Sequence, residues 1–87
     1  MHILITISPM HLDEFNDMCE DLRITMNHGY HITSWHMVDL TEWFDEAPNH
    51  VFGEIELMVK TNDKAGAYEE IAGTVAAYQA NAQVKIL

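Results

Sequence analysis

Gly53-Glu54-Ile55-Glu56-Leu57-Met58-Val59-Lys60-Thr61 alternates between apolar and mostly polar residues along its whole length. A strand sends successive side chains to opposite faces, so Ile55, Leu57 and Val59 share one face and Glu54, Glu56, Met58 and Lys60 the other. The first face predicts a buried sheet surface. The second opens with two carboxylates, and what that surface looks at is the functional question.

Working outward, the chain has 87 residues, which predicts one small domain over residues 1–87. A domain of this size buries only ~60% of the surface its unfolded chain exposes, so a further stabilising device is expected. Cys19 is the one cysteine, so an intramolecular disulfide cannot be that device. A single thiol without a secretory signal predicts a cytoplasmic protein. No stretch approaches the ~20 apolar residues that span a bilayer. Four basic residues stand against 14 acidic ones, a net charge of −10, which argues against nucleic acid or an anionic membrane as partner. An acidic surface favours a cationic ligand, and it also serves simple solubility.

Residues 2–8 read as a first strand with Ile3, Ile5 and Ile7 on one face. Ser8-Pro9 then reads as a helix N-cap followed by proline at the first helical position. Leu12, Phe15, Met18, Cys19, Leu22 and Met26 recur at helical spacing, and Asn27-His28-Gly29 supplies a stop. Tyr30 to Leu40 predicts a second strand, Glu42 to Phe52 a loop, and Gly53 to Thr61 the third strand. Thr61-Asn62-Asp63 caps a second helix with Tyr68, Ile71, Val75 and Tyr78 as its buried stripe. Gln83 to Leu87 closes as a fourth strand. The order β-α-β-β-α-β predicts an α+β, ferredoxin-like split βαβ sandwich: a four-stranded antiparallel sheet with both helices on one face.

In that fold Ile55, Leu57 and Val59 lie under the helices with Ile3, Ile5, Ile7, Val84 and Ile86. Glu54, Glu56 and Met58 face the helix-free side with Leu4 and Thr6, together with Trp35 and Met37 or their alternates. A bare face carrying such residues would be a sticky patch on a monomer. Another copy of the chain covering it, most simply in a closed cyclic oligomer, is the expected stabilising device, with ligand clefts at the subunit interfaces.

Six histidines invite a metal reading, but His28, His31 and His36 lack a ligand spacing, since 31 and 36 face opposite sides of a strand. No metal and no cofactor are expected. Glu54 follows a segment holding Trp43, Phe44 and Phe52, and aromatic faces beside a carboxylate hold organic cations. The alternative is that Glu54 and Glu56 are ordinary exposed strand residues.

The segment Val38 to Pro48, VDLTEWFDEAP, followed by Glu54 to Ala72, EIELMVKTNDKAGAYEEIA, resembles the central part of the bacteriophage S-adenosylmethionine lyases, long described as SAM hydrolases. The correspondence runs through Asp39-Leu40-Thr41, the aromatic Phe44, Glu46-Ala47, the acidic Glu54 and the helix start Asp63-Lys64-Ala65. It implies a PII-like homotrimer with active sites between subunits, Glu54 as the catalytic residue, and Phe44, Trp43, Glu46 and Thr41 around the substrate. Phe44 stands where the family typically has a tyrosine whose hydroxyl meets the catalytic carboxylate. That role is either lost or taken by another residue such as Tyr30. The implied cellular role is anti-restriction, by depleting a methyl donor. ELMVKT and the following helix are also similar to the CutA and PII-like trimers, which imply a non-catalytic protein binding a small ligand or metal.

The reaction implied by the first resemblance turns S-adenosylmethionine into 5'-methylthioadenosine and homoserine lactone. The substrate carboxylate attacks its own γ-carbon and a neutral thioether leaves. Opposite charges cancel in the transition state, so excluding water favours reaction, and a folded methionyl chain brings in its tethered nucleophile. A carboxylate held against the sulfonium would stabilise the ground state by up to ~4 kcal/mol, at ~4 Å and an effective dielectric of ~20, and so slow the chemistry. Glu54 is therefore expected to grip the substrate ammonium or a ribose hydroxyl, with Phe44 or Trp43 flanking the sulfur.

Overall fold

The alternating isoleucines at the N-terminus and the alternating run at 55–59 fold as neighbours. A computed structural model describes residues 1–27, 31–43 and 49–87, and of residues 25–27 and 31–43 the backbone alone. Its elements are β1 (His2–His11), α1 (Leu12–Asn27), β2 (His31–Trp43), β3 (His50–Lys60), α2 (Lys64–Tyr78) and β4 (Gln83–Ile86). The protein is thus α+β, with two helices and an antiparallel sheet. Strands β3, β1 and β4 lie side by side in that order, and the β2 backbone runs antiparallel along the other side of β3.

The core follows the period-two pattern. Ile3, Ile5, Ile55 and Leu57 are fully buried, Ile7 and Val59 nearly so, and they join Phe15, Met18, Cys19 and Leu22 of α1 and Ala67, Ile71 and Val75 of α2 in one cluster. Both helices therefore cover the same sheet face, and they pack against each other. Of the stripe expected on α2, Ile71 and Val75 are buried, while Tyr68 and Tyr78 are half-buried. Each tyrosine keeps its polar tip at the margin: the Tyr68 hydroxyl donates to Val84 O at 3.1 Å, and that of Tyr78 donates to the Asp21 carboxylate. Asp63 caps α2 as its sequence predicts, accepting from the Gly66 N–H at 2.9 Å.

Three expectations are corrected. Ser8-Pro9 does not start the first helix: β1 runs on to His11, and its register with β3 shifts between Ile7 and Met10. Proline cannot donate to a ladder, and such an irregularity is where a strand tolerates one. The Ser8 peptide is held instead by the Gln79 side chain, which accepts from Ser8 N–H at 2.7 Å and donates to Ser8 O at 2.8 Å. Helix α1 starts at Leu12, with the Asp13 N–H donating to His11 Nδ1 at 3.1 Å and the Leu12 N–H to Asn49 O at 2.6 Å. Secondly, the stretch from Glu42 to Phe52 is not all loop, because β2 reaches Trp43 and β3 begins at His50. Thirdly, Ile86 is 53% exposed rather than buried under the helices. It lies near the end of the short edge strand β4, where covering atoms come from one side only.

Candidate functional site

On the sheet face opposite the helices stand Leu4 and Thr6 of β1 and Glu54 and Glu56 of β3, all half-buried, with the exposed Met58. The parity of β3 is unbroken, since Val51 and Ile55 are buried, so Phe52 is on this face too, 36% exposed. His2 also belongs here, its Nε2 against the Glu56 carboxylate.

The ladder pairings align these residues in rows across the strands. Asp39 of β2, Glu54 of β3, Thr6 of β1 and Gln83 of β4 stand opposite one another in succession. Two register positions along, beyond the Leu40–Gly53 pair, Thr41 stands opposite Phe52. A carboxylate, a hydroxyl and an amide thus cross the described side chains of one row, with an aromatic ring two residues along β3 from the carboxylate. Directly opposed pairs have Cβ atoms about 5 Å apart, and residues two apart on one strand are about 6.6 Å apart. Among the described residues the Glu54 carboxylate has no side-chain hydrogen-bond or ion-pair partner.

Backbone irregularities converge on this row. Gly53 has φ 139°, a conformation that L side chains rarely adopt. It is opposite Ile7, the last regular pair before the shift in β1, and opposite Leu40, one pair from the shift in β2 between Met37 and Asp39. Bulges re-aim side chains and occur often beside active sites. Here the disturbed stretches of β1 and β2 flank Gly53-Glu54 from both sides.

The residues singled out by sequence separate accordingly. Glu54 is not at the head of a strand after a loop, as expected, but well inside β3. Thr41 stands in register one pair beyond the Gly53–Leu40 step, so its backbone neighbours the Glu54 row. Trp43 is opposite His50, four residues or about 13 Å along β3 from Glu54. Phe44 and Glu46 lie outside the described residues, as does Tyr30, and the side chains of Thr41, Trp43, Trp35, Met37, His31 and His36 are likewise outside them. Sequence reasoning missed Phe52 as an open-face residue by reading it as loop. The signal was present: Val51 in and Phe52 out continue the alternation of 55–59 backwards through Gly53.

Elsewhere the chemistry is muted. Burial pushes the Cys19 thiol up to about 11 against a smaller opposing pull from Arg23, so at neutral pH it is protonated and a poor nucleophile. The hydrogen bond to Asp21 pushes the Tyr78 hydroxyl up to about 12. Among the described residues no group of three or more His, Cys, Asp or Glu side chains could hold a metal ion, and no helix is long and apolar enough to cross a membrane. His11 and His50 meet edge to face with ring centroids 5.4 Å apart. Comparison with protein-family models, with curated proteins and with solved structures found no match.

Proposed function

We propose that this protein is an S-adenosylmethionine lyase, releasing 5'-methylthioadenosine and homoserine lactone, and that it works as a trimer of four-stranded ferredoxin-like subunits with the open sheet faces turned inwards. The carrying observation is the row that sets Glu54 beside Thr6 on the helix-free face, flanked by the irregular stretches around Gly53. Further support comes from the element order, with the strands in the order β2-β3-β1-β4 and the helices sharing one core. That is the order expected of a ferredoxin-like split βαβ unit. The resemblance carried by Asp39-Leu40-Thr41 gains weight because this segment runs beside Phe52-Gly53-Glu54 in the β2–β3 ladder.

The reaction asks little of the protein. A C–O bond forms between the substrate carboxylate and its γ-carbon as the C–S bond breaks. The electron pair stays on sulfur, and no proton moves. What the site must supply is a folded methionyl chain and exclusion of water. Glu54 does the first by binding the ammonium or a ribose hydroxyl, with the Thr6 hydroxyl within reach of the same group. Among the described residues no polar side chain is fully buried, so a neighbouring copy over the face supplies the second.

The test is to incubate purified protein with S-adenosylmethionine and look for methylthioadenosine and homoserine lactone by chromatography. No methylthioadenosine at high protein concentration overturns the reading in favour of a non-catalytic trimer of the CutA or PII-like kind. Glu54→Gln is expected to lower turnover far more than nucleoside affinity, and unchanged turnover would remove Glu54 from the mechanism.

A further inference from the structure

We infer that Phe52 is the residue that selects for a positively charged sulfur, its ring face covering the sulfonium while Glu54 holds the ammonium at the other end of the methionyl chain. This rests on the lyase reading and adds to it a specificity residue on β3. Phe52 and Glu54 are on the same face of β3, 36% exposed and half-buried respectively, with only Gly53 between them. Their spacing of about 6.6 Å along the strand matches a ligand whose two cationic groups are separated by a short carbon chain. Among the described residues β3 thus sets the Phe52 ring and the Glu54 carboxylate two residues apart on one face, two groups for two cations, and the chemistry of each decides which takes which.

A carboxylate against the sulfonium would hold the reacting charge too strongly in the ground state, whereas an ammonium keeps its charge throughout the reaction. A ring face attracts a cation less strongly than a carboxylate does, and it presents apolar surface that keeps water from the sulfur. The ring therefore suits the sulfonium, whose charge vanishes at the transition state. The kinetic consequence is specific. The Phe52 contact belongs to the bound substrate and fades as sulfur becomes neutral, so losing it raises KM and leaves kcat unchanged or slightly higher.

Two nucleosides that cannot undergo the cleavage separate charge from shape. S-Adenosylhomocysteine has a neutral thioether, and sinefungin carries an ammonium in place of the methylsulfonium. Calorimetry on the wild-type protein is expected to show a preference for the cationic ligand. Phe52→Leu, which keeps an apolar side chain without a ring, is expected to reduce that preference about threefold to thirtyfold, the range of a single cation–π contact. Phe52→Trp is expected to keep or increase it. With S-adenosylmethionine, Phe52→Leu is expected to raise KM without lowering kcat. A preference unchanged in Phe52→Leu, or a fall in kcat at constant KM, overturns the inference while leaving the lyase reading standing. Failure of the wild-type protein to bind either nucleoside overturns both.

Discussion

Replacing Gln79 by alanine tests how the end of α2 holds the irregular stretch of β1 beside the site. The Gln79 amide makes both hydrogen bonds of the Ser8 peptide, 2.7 Å from its N–H and 2.8 Å to its carbonyl, across 71 residues of chain. It does for Ser8 what a strand neighbour would do, because β4 pairs with β1 only from Ile3 to Thr6. A net contribution of about 0.5–1.5 kcal/mol per bond, taken at the lower half because both groups are exposed and water can replace the side chain, gives a loss of about 1–2 kcal/mol. For a domain of this size that lowers Tm by about 5–15 °C. The backbone cap from Gln79 N–H to Val75 O, 2.8 Å long, survives the substitution, so α2 itself keeps its end. Urea unfolding measures the loss, and amide exchange localises it: Ser8 should speed up by a larger factor than the core amide of Ile5, which speeds up only as far as global stability falls. Gln79→Glu, ionised at neutral pH, keeps an acceptor for Ser8 N–H but no donor for Ser8 O, and is expected to fall between the two. A Gln79→Ala protein as stable as the wild type, with unchanged exchange at Ser8, would refute the clamp.

Gly53→Ala places a side chain where φ is 139° and is expected to cost about 1–3 kcal/mol in urea unfolding; equal stability would show that the backbone there relaxes freely. It should also reduce turnover beyond any change in folded fraction, because Glu54 hangs on the next residue. The Tyr78 hydroxyl is raised above its ordinary value by its bond to Asp21, to about 12. The folded state therefore binds that proton more tightly, so the contribution is complete below about pH 10 and is lost as pH rises towards 12. Unfolding followed from about pH 8 to about pH 12 should show a steeper fall for wild type than for Tyr78→Phe, and parallel curves would remove the bond from the folded protein in solution. The Cys19 thiol, raised to about 11, adds the same slope to both proteins and cancels in the comparison.

Much of the framework was legible because it depends on neighbours in sequence. The isoleucines of β1 and the run at 55–59 show which residues enter the core, and the spacing of Phe15, Met18, Cys19 and Leu22 shows the buried face of α1. Asp63 could be recognised as a cap because capping is complete within four residues. The start of α1 was misread for the same reason. Ser8-Pro9 has the chemistry of a helix entry, and the group that keeps it in extended chain, Gln79, is remote in sequence. The candidate site is legible in part: the pattern marks Glu54, but the aromatic and proline-bearing segment ahead of it has the local chemistry of a loop, and only pairing with β1 and β2 extends β3 back to His50.

The sequence by itself determined the period of each segment, and with it the two faces of β1 and β3 and the buried side of each helix, since these follow from backbone geometry and the exclusion of apolar groups from water. Tertiary structure alone decided where the strands end and which residues meet across them, so that Glu54 stands opposite Thr6 with Asp39 in the same row. Those outcomes depend on register. Register is settled when distant segments satisfy one another's peptide groups, as Gln79 does for Ser8, and no local pattern contains that information.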